Sequence, residues 1–170
     1  SVEVGTHPQG TVYNPANGYL YIANQLSDSI SVVNKLGIVI MTISLSKINL
    51  PGTVSPVALA VNSNISNAMY GSVYVIGSVS NKMYHINLEH EVVDSFETGI
   101  RPSAILFRPQ DNKLQVSHIV SKDILIIDPN KNYNERSSAQ NLVSRRVTDN
   151  PFEDVKVFTQ MDLILRDQQG

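Results

Sequence analysis

Short apolar runs, separated by turns rich in Asn, Asp, Ser, Pro and Gly, recur along this chain. Three stretches carry the pattern most clearly: Gly18–Asn34, Gly71–Asn87 and Asn112–Asp128. They align over seventeen residues without a gap, each reading as apolar strand, polar turn, second apolar strand, then Asn or Asp. In Tyr19-Leu20-Tyr21-Ile22-Ala23 and Ile124-Leu125-Ile126-Ile127, positions of both parities are apolar. A strand with one wet face would alternate, so these strands are expected to be covered on both faces.

A second marker keeps the same period. An X-Pro dipeptide precedes a short apolar strand four times, at His7-Pro8, Ser55-Pro56, Arg101-Pro102 and Asn150-Pro151, with Pro-to-Pro spacings of 48, 46 and 49. Proline suits a strand entry, where its missing N–H costs little. Each repeat then lays out as four strands joined by local turns. The first strands are Gly10–Tyr13, Val57–Val61 and Ser103–Phe107, and the second are Tyr19–Ala23, Ser72–Ile76 and Lys113–Ser117. The third are Ser29–Val33, Lys82–Ile86 and Asp123–Ile127, and the fourth are Ile38–Ile43, Glu91–Phe96 and Leu142–Val147. Four-stranded antiparallel sheets, covered on both sides and repeated at this period, are blades of a β-propeller. Leu20, Ile22, Val73, Val75, Leu114, Val116, Leu163 and Leu165, which stand at equivalent points of the second strand, are expected between neighbouring blades.

The fold expected is therefore all-β: a β-propeller fragment of about three four-stranded antiparallel blades plus half a fourth. Residues 1–5 read as the trailing strand of a preceding blade, 6–44 as blade 1, 55–99 as blade 2, 100–149 as blade 3 and 150–170 as the start of blade 4. Closed rings use about 4–8 blades, so the chain reads as part of a larger propeller, or as a half-ring that closes by self-association. The segments 45–54, 63–71 and 129–140 vary between repeats and are expected as surface loops, where length costs little.

Composition narrows the chemistry. Apolar residues make up 42% of the 170 residues and charged ones 16%, with a net charge of −2, which describes a globular chain without a basic patch for nucleic acid. There is no Cys, hence no disulfide and no thiolate metal site. No apolar run approaches the roughly 18 residues of a membrane-spanning helix.

The first repeat, with Pro8, Gly10, Asn14-Pro15, Gly18 and then Leu20-Tyr21-Ile22-Ala23-Asn24, resembles the YVTN-type β-propeller repeat. Tyr21-Ile22-Ala23-Asn24 stands where that family's Tyr-Val-Thr-Asn signature falls. The second repeat keeps Tyr74-Val75 and departs at Ile76-Gly77, and the third reads Gln115-Val116-Ser117-His118. The resemblance implies a propeller of the kind found in cell-surface, surface-layer and secreted proteins of archaea and bacteria. Related propellers include lactonases, lyases and cofactor-binding subunits, so an activity has to be argued from a site.

Candidate ligand-binding residues at the channel mouth are the four that precede the prolines, His7, Ser55, Arg101 and Asn150, with His118 from a neighbouring turn. They offer polar and charged groups to a polar or anionic ligand; the structural alternative is that they are solvated loop residues. His7, His118 and Asp28 are of metal-ligating types, but no ligand spacing supports a metal site, and neither metal nor cofactor is expected. His85 is read as a packed core histidine, His90 as a turn residue and Arg145-Arg146 as charges on an edge strand. Asn64-Ile65-Ser66 is a glycosylation sequon in a surface loop. There is no nucleophile elbow, phosphate-binding loop or zinc-protease helix. The function expected is an extracellular or cell-surface module that displays loops to a protein or glycan ligand, or packs against remaining blades of the same propeller. The alternative is a lactonase- or lyase-like enzyme with a polar site at the mouth.

Overall fold

The computed structural model describes residues 1–46, 52–120 and 122–130, together with the backbone of Val143–Arg146 and Val157–Thr159. Its strands form three antiparallel sheets, and no α-helix occurs among the described residues. The first sheet is β1 (Pro8–Asn14), β2 (Tyr19–Asn24), β3 (Ser29–Val33) and β4 (Val39–Ser44), in that spatial order. The second is β5 (Pro56–Val61), β6 (Val73–Gly77), β7 (Lys82–Ile86) and β8 (Val92–Glu97). The third is β9 (Pro102–Arg108), β10 (Lys113–His118), β11 (Asp123–Ile127) and β12 (Val143–Arg146), with β13 (Val157–Thr159) paired onto β12. These are blades of a β-propeller, and the β3, β7 and β11 boundaries are those the apolar pattern predicts.

The blades fan out from their first strands. β1 packs beside β5, and β5 beside β9. The approach of β1 to β5 depends on Gly10, because a Cβ there would stand 2.8 Å from the Val57 carbonyl oxygen. Two cores fill the wedges between blades. In one, Tyr21, Ala23, Ile30 and Val32 of blade 1 meet Leu59, Val73, Val75 and Ile86 of blade 2. In the other, Tyr74, Ile76 and Met83 of blade 2 meet Phe107, Leu114, Val116, Leu125 and Ile127 of blade 3. Both faces of β6 and β7 are thereby covered, which is why their sequences are apolar at both parities.

The same register explains where an expectation fails. Leu20 aligns with Val73 and Leu114, yet Leu20 is 40% exposed whereas the other two are fully buried. Residues of that parity face the preceding blade, and among the described residues none lies before blade 1. The face of Leu20 and Ile22 instead borders a shallow recess lined also by Val2, Tyr13 and Val33. Residues 1–5, expected as the trailing strand of a preceding blade, have no strand partner among the described residues. Leu163 and Leu165 lie outside the described residues, as does nearly all of 129–170.

β12 also departs from expectation. The charges of Arg145 and Arg146 predict an edge strand, but β12 lies between β11 and β13. A partner strand some ten residues further along supplies the missing ladder, and no local signal marks it. Residues 150–170, expected to open a fourth blade, are described only at Val157–Thr159, on the outer edge of the third sheet.

Candidate functional site

One end of the blades is built from left-handed turns. His7, Ser55 and Arg101, the residues before the prolines, have φ of 56°, 56° and 53°. Asp28, Asn81 and Lys122, in the turns after the second strands, have φ of 46°, 56° and 54°. Asp and Asn adopt this region readily; for the others the conformation is uncommon and held by its surroundings. Here that holding is a repeated backbone bond. Gln25 N–H donates to His7 O at 2.9 Å, Ser78 N–H to Ser55 O at 2.9 Å, and Ile119 N–H to Arg101 O at 3.3 Å. Each X-Pro residue is thus tied to the second turn of its own blade, and the two families of loops share one face.

A second set of bonds crosses between blades. Asp28, 1% exposed, accepts from Ser55 N–H at 2.7 Å through Oδ1 and from Thr53 N–H at 2.8 Å through Oδ2. Asn81 Oδ1 accepts from Arg101 N–H at 2.8 Å in the equivalent place. Lys122, third in the series, has no acceptor to offer. At the other end, buried Asn14 donates to Gly71 O at 2.7 Å, again joining blades 1 and 2.

Among the candidate residues, His7 and Ser55 are brought together through Gln25. His7 Nδ1 stands 2.8 Å from Gln25 Oε1, and Gln25 Nε2 donates to Ser55 Oγ at 3.0 Å. Ser78 Oγ continues the chain at 3.2 Å from Ser55 Oγ. Gln25 and Ser78 occupy equivalent turn positions of the sequence repeat, which is the signal that marks them. Arg101 is exposed. Asn150 lies outside the described residues.

His118 has a different partner from those expected. It is buried, with Nδ1 2.8 Å from Asp123 Oδ1, a close approach that is not aligned as a hydrogen bond. Nε2 is enclosed, has no hydrogen-bond partner, and lies 3.0 Å from where a Cβ on Gly99 would sit. Gly99, at φ +119°, therefore forms the wall over this ring. A histidine paired with a carboxylate can act as general acid or base, but this Nε2 faces backbone rather than open space. The pair also has a structural lineage: positions 118 and 123 are equivalent to Asn24 and Ser29, where Asn24 Nδ2 donates to Ser29 Oγ at 3.2 Å. The hairpin register, with Ser117 opposite Ile124, places His118 next to Asp123 and would have revealed the pair.

No hydrogen bond or ion pair joins His7, Arg101 and His118 to one another among the described residues, and no three His, Asp or Glu side chains there cluster as metal ligands. His85 is buried and stacks on Tyr74 with ring centroids 5.1 Å apart. His90, at φ 66°, closes its turn and reaches blade 1, its Nδ1 3.0 Å from Tyr21 Oη in a hydrogen bond, while Asn17 Nδ2 donates to the same oxygen. Burial holds the His90 pKa below its usual value, opposed by Glu89, and burial raises that of Tyr21. Asn64 Oδ1 accepts from Ser66 N–H, and its Nδ2 donates to Asn112 Oδ1 at 2.7 Å, so the sequon nitrogen is engaged with blade 3.

No protein-family model and no curated protein matches this chain. Solved structures do. A hydrazine synthase from Kuenenia stuttgartiensis is 17% identical, with a TM-score of 0.63 over 94% of this chain and 51% of its own. Virginiamycin B lyase from Staphylococcus aureus is 17% identical, with a TM-score of 0.61 over 91% of this chain and 56% of the lyase. The β-propeller domain of Cps50 (Swd1) from Myceliophteria thermophila is 9% identical, with a TM-score of 0.62 over 99% of this chain and 45% of that one. The chain thus spans about half the length of these proteins, and at such identities the likeness is one of fold.

Proposed function

We propose that this chain is part of a YVTN-like propeller acting at the cell surface or outside the cell, where its X-Pro loops and second turns bind a protein or glycan ligand. The observation carrying the reading is the use made of the polar groups on that face. Asp28, Asn81, Gln25 and Ser78 spend their hydrogen bonds fixing the loops, which leaves Arg101 exposed on a rigid, pre-ordered scaffold. Pre-ordering lowers the entropy lost on binding. The apolar faces of Leu20–Ile22 and of Ile124–Ile126 suit further blades of the same propeller, since they match the registers of the two filled wedges.

A lyase-like reading is favoured by one feature, the His118–Asp123 pair. It requires Gly99 to move off Nε2 before that atom can serve a substrate. Glycan and peptide arrays probed with the chain, then with Arg101→Ala and His7→Ala, test the first reading: a bound ligand lost in either variant supports it. A carbon–oxygen lyase or hydrolase activity abolished by His118→Ala, with the circular dichroism spectrum unchanged, replaces it with the second.

A further inference from the structure

Each blade ends in an outer strand whose far edge carries backbone N–H and C=O groups available for pairing. The three outer strands treat this hazard differently. β12 is covered by β13, so in this fold an outer strand does accept a fifth one. β8 carries Asp94 and Glu97. β4, Val39-Ile40-Met41-Thr42-Ile43-Ser44, carries no charge, and the uncharged run extends from Leu36 to Ser46. It is the last strand of its sheet, with Ile40 42% and Met41 41% exposed and Ile38 beside them at 55%. Among the described residues nothing pairs with its outer edge.

We propose that β4 is a self-association edge, pairing antiparallel with β4 of a second copy of this chain about a two-fold axis. The occupant follows from charge. A two-fold pairing brings every side chain near its own copies, and like charges across a ladder are unfavourable. β8 paired with itself would gather the carboxylates of Asp94 and Glu97 from both copies into one short ladder. β4 meets no such penalty: with the axis at Met41, Met41 faces Met41 of the second copy, Ile40 faces Thr42 and Val39 faces Ile43. These pairs suit a pleated, apolar contact. A ladder of six residues is small, so the dimer is weak and its population depends on concentration. The pairing is independent of the loop face and leaves it open.

Sedimentation velocity of the chain over a hundredfold concentration range is the test. The expected result is a reversible monomer–dimer equilibrium that Met41→Lys and Met41→Glu each shift at least tenfold toward monomer, while an equimolar mixture of the two variants associates again. Val93→Lys, on β8 and 49% exposed in the parent residue, should leave the equilibrium unchanged. Circular dichroism confirms that each variant keeps its strands. A chain that stays monomeric throughout overturns the proposal. So does an association that Met41→Lys leaves intact or that Leu20→Lys abolishes, since it then runs through another surface.

Discussion

Replacing Asp28 by Ala should destabilise the contact between blades 1 and 2 far more than an ordinary turn substitution. Asp28 is 1% exposed and receives two backbone N–H groups of the following loop, from Ser55 at 2.7 Å and Thr53 at 2.8 Å, with Thr53 Oγ1 at 3.2 Å. Ser55 is itself buried, so its N–H would be left without a partner, at a cost of about 1–3 kcal/mol. Thr53 is exposed and its N–H can return to water, which limits that loss to about 0.5–1.5 kcal/mol. Alanine at φ 46° lacks the local hydrogen bonding that eases Asp into this region, adding about 1 kcal/mol. The sum is about 2.5–5.5 kcal/mol, a large part of the stability of a domain this size. Asn81→Ala removes a single neutral bond to the exposed Arg101, about 0.5–1.5 kcal/mol, and incurs the same left-handed strain of about 1 kcal/mol at φ 56°, so it should cost only about 1.5–2.5 kcal/mol. Urea unfolding followed by circular dichroism measures both. An Asp28→Ala loss below 1 kcal/mol, or one no larger than that of Asn81→Ala, would refute the argument that this buried acceptor pair locks the blades together.

Ile76→Ala, in the filled wedge between blades 2 and 3, should cost about 2–5 kcal/mol, whereas Leu20→Ser on the uncovered face should change stability by less than about 1 kcal/mol; equal losses in urea would mean the two faces are equivalent. Gly99→Ala should destabilise by about 1–3 kcal/mol, because its φ of +119° excludes side chains and the new Cβ would press on His118 Nε2; an unchanged melting temperature would contradict the packing over that ring. The pKa of His90 is held down by burial, so the folded state resists its protonation. Its stabilising contribution is full above the unperturbed value of about 6.5 and is lost as pH falls through the lower folded value. The stability difference between the chain and His90→Asn should therefore shrink on acidification, and a difference that grows would count against the Tyr21–His90 bond.

The sequence alone determined the element type, the repeat and the strand boundaries to within one or two residues, because these rest on local chemistry. Prolines mark strand entries, Asn, Asp and Gly mark turns, and apolar runs fill both faces of a blade. The repeat spacing groups His7, Ser55, Arg101, Asn150 and His118 as candidates; backbone bonds tie the first three to the second turns of their own blades, and His118 ends β10 as a buried residue. What the sequence left open were facts about neighbours. Leu20 and Val73 occupy the same repeat position, and only the presence or absence of a blade beside them decides that one is exposed and the other buried. Arg145 and Arg146 read as edge charges, yet a strand from further along the chain pairs beside them. The partners of Asp28, the enclosure of His118 Nε2 by Gly99 and the bare edge of β4 were likewise decided only by tertiary structure. Local patterns set what each segment is, because backbone propensity and side-chain alternation act within a few residues. Which faces are covered depends on segments tens of residues away, whose placement no local pattern records.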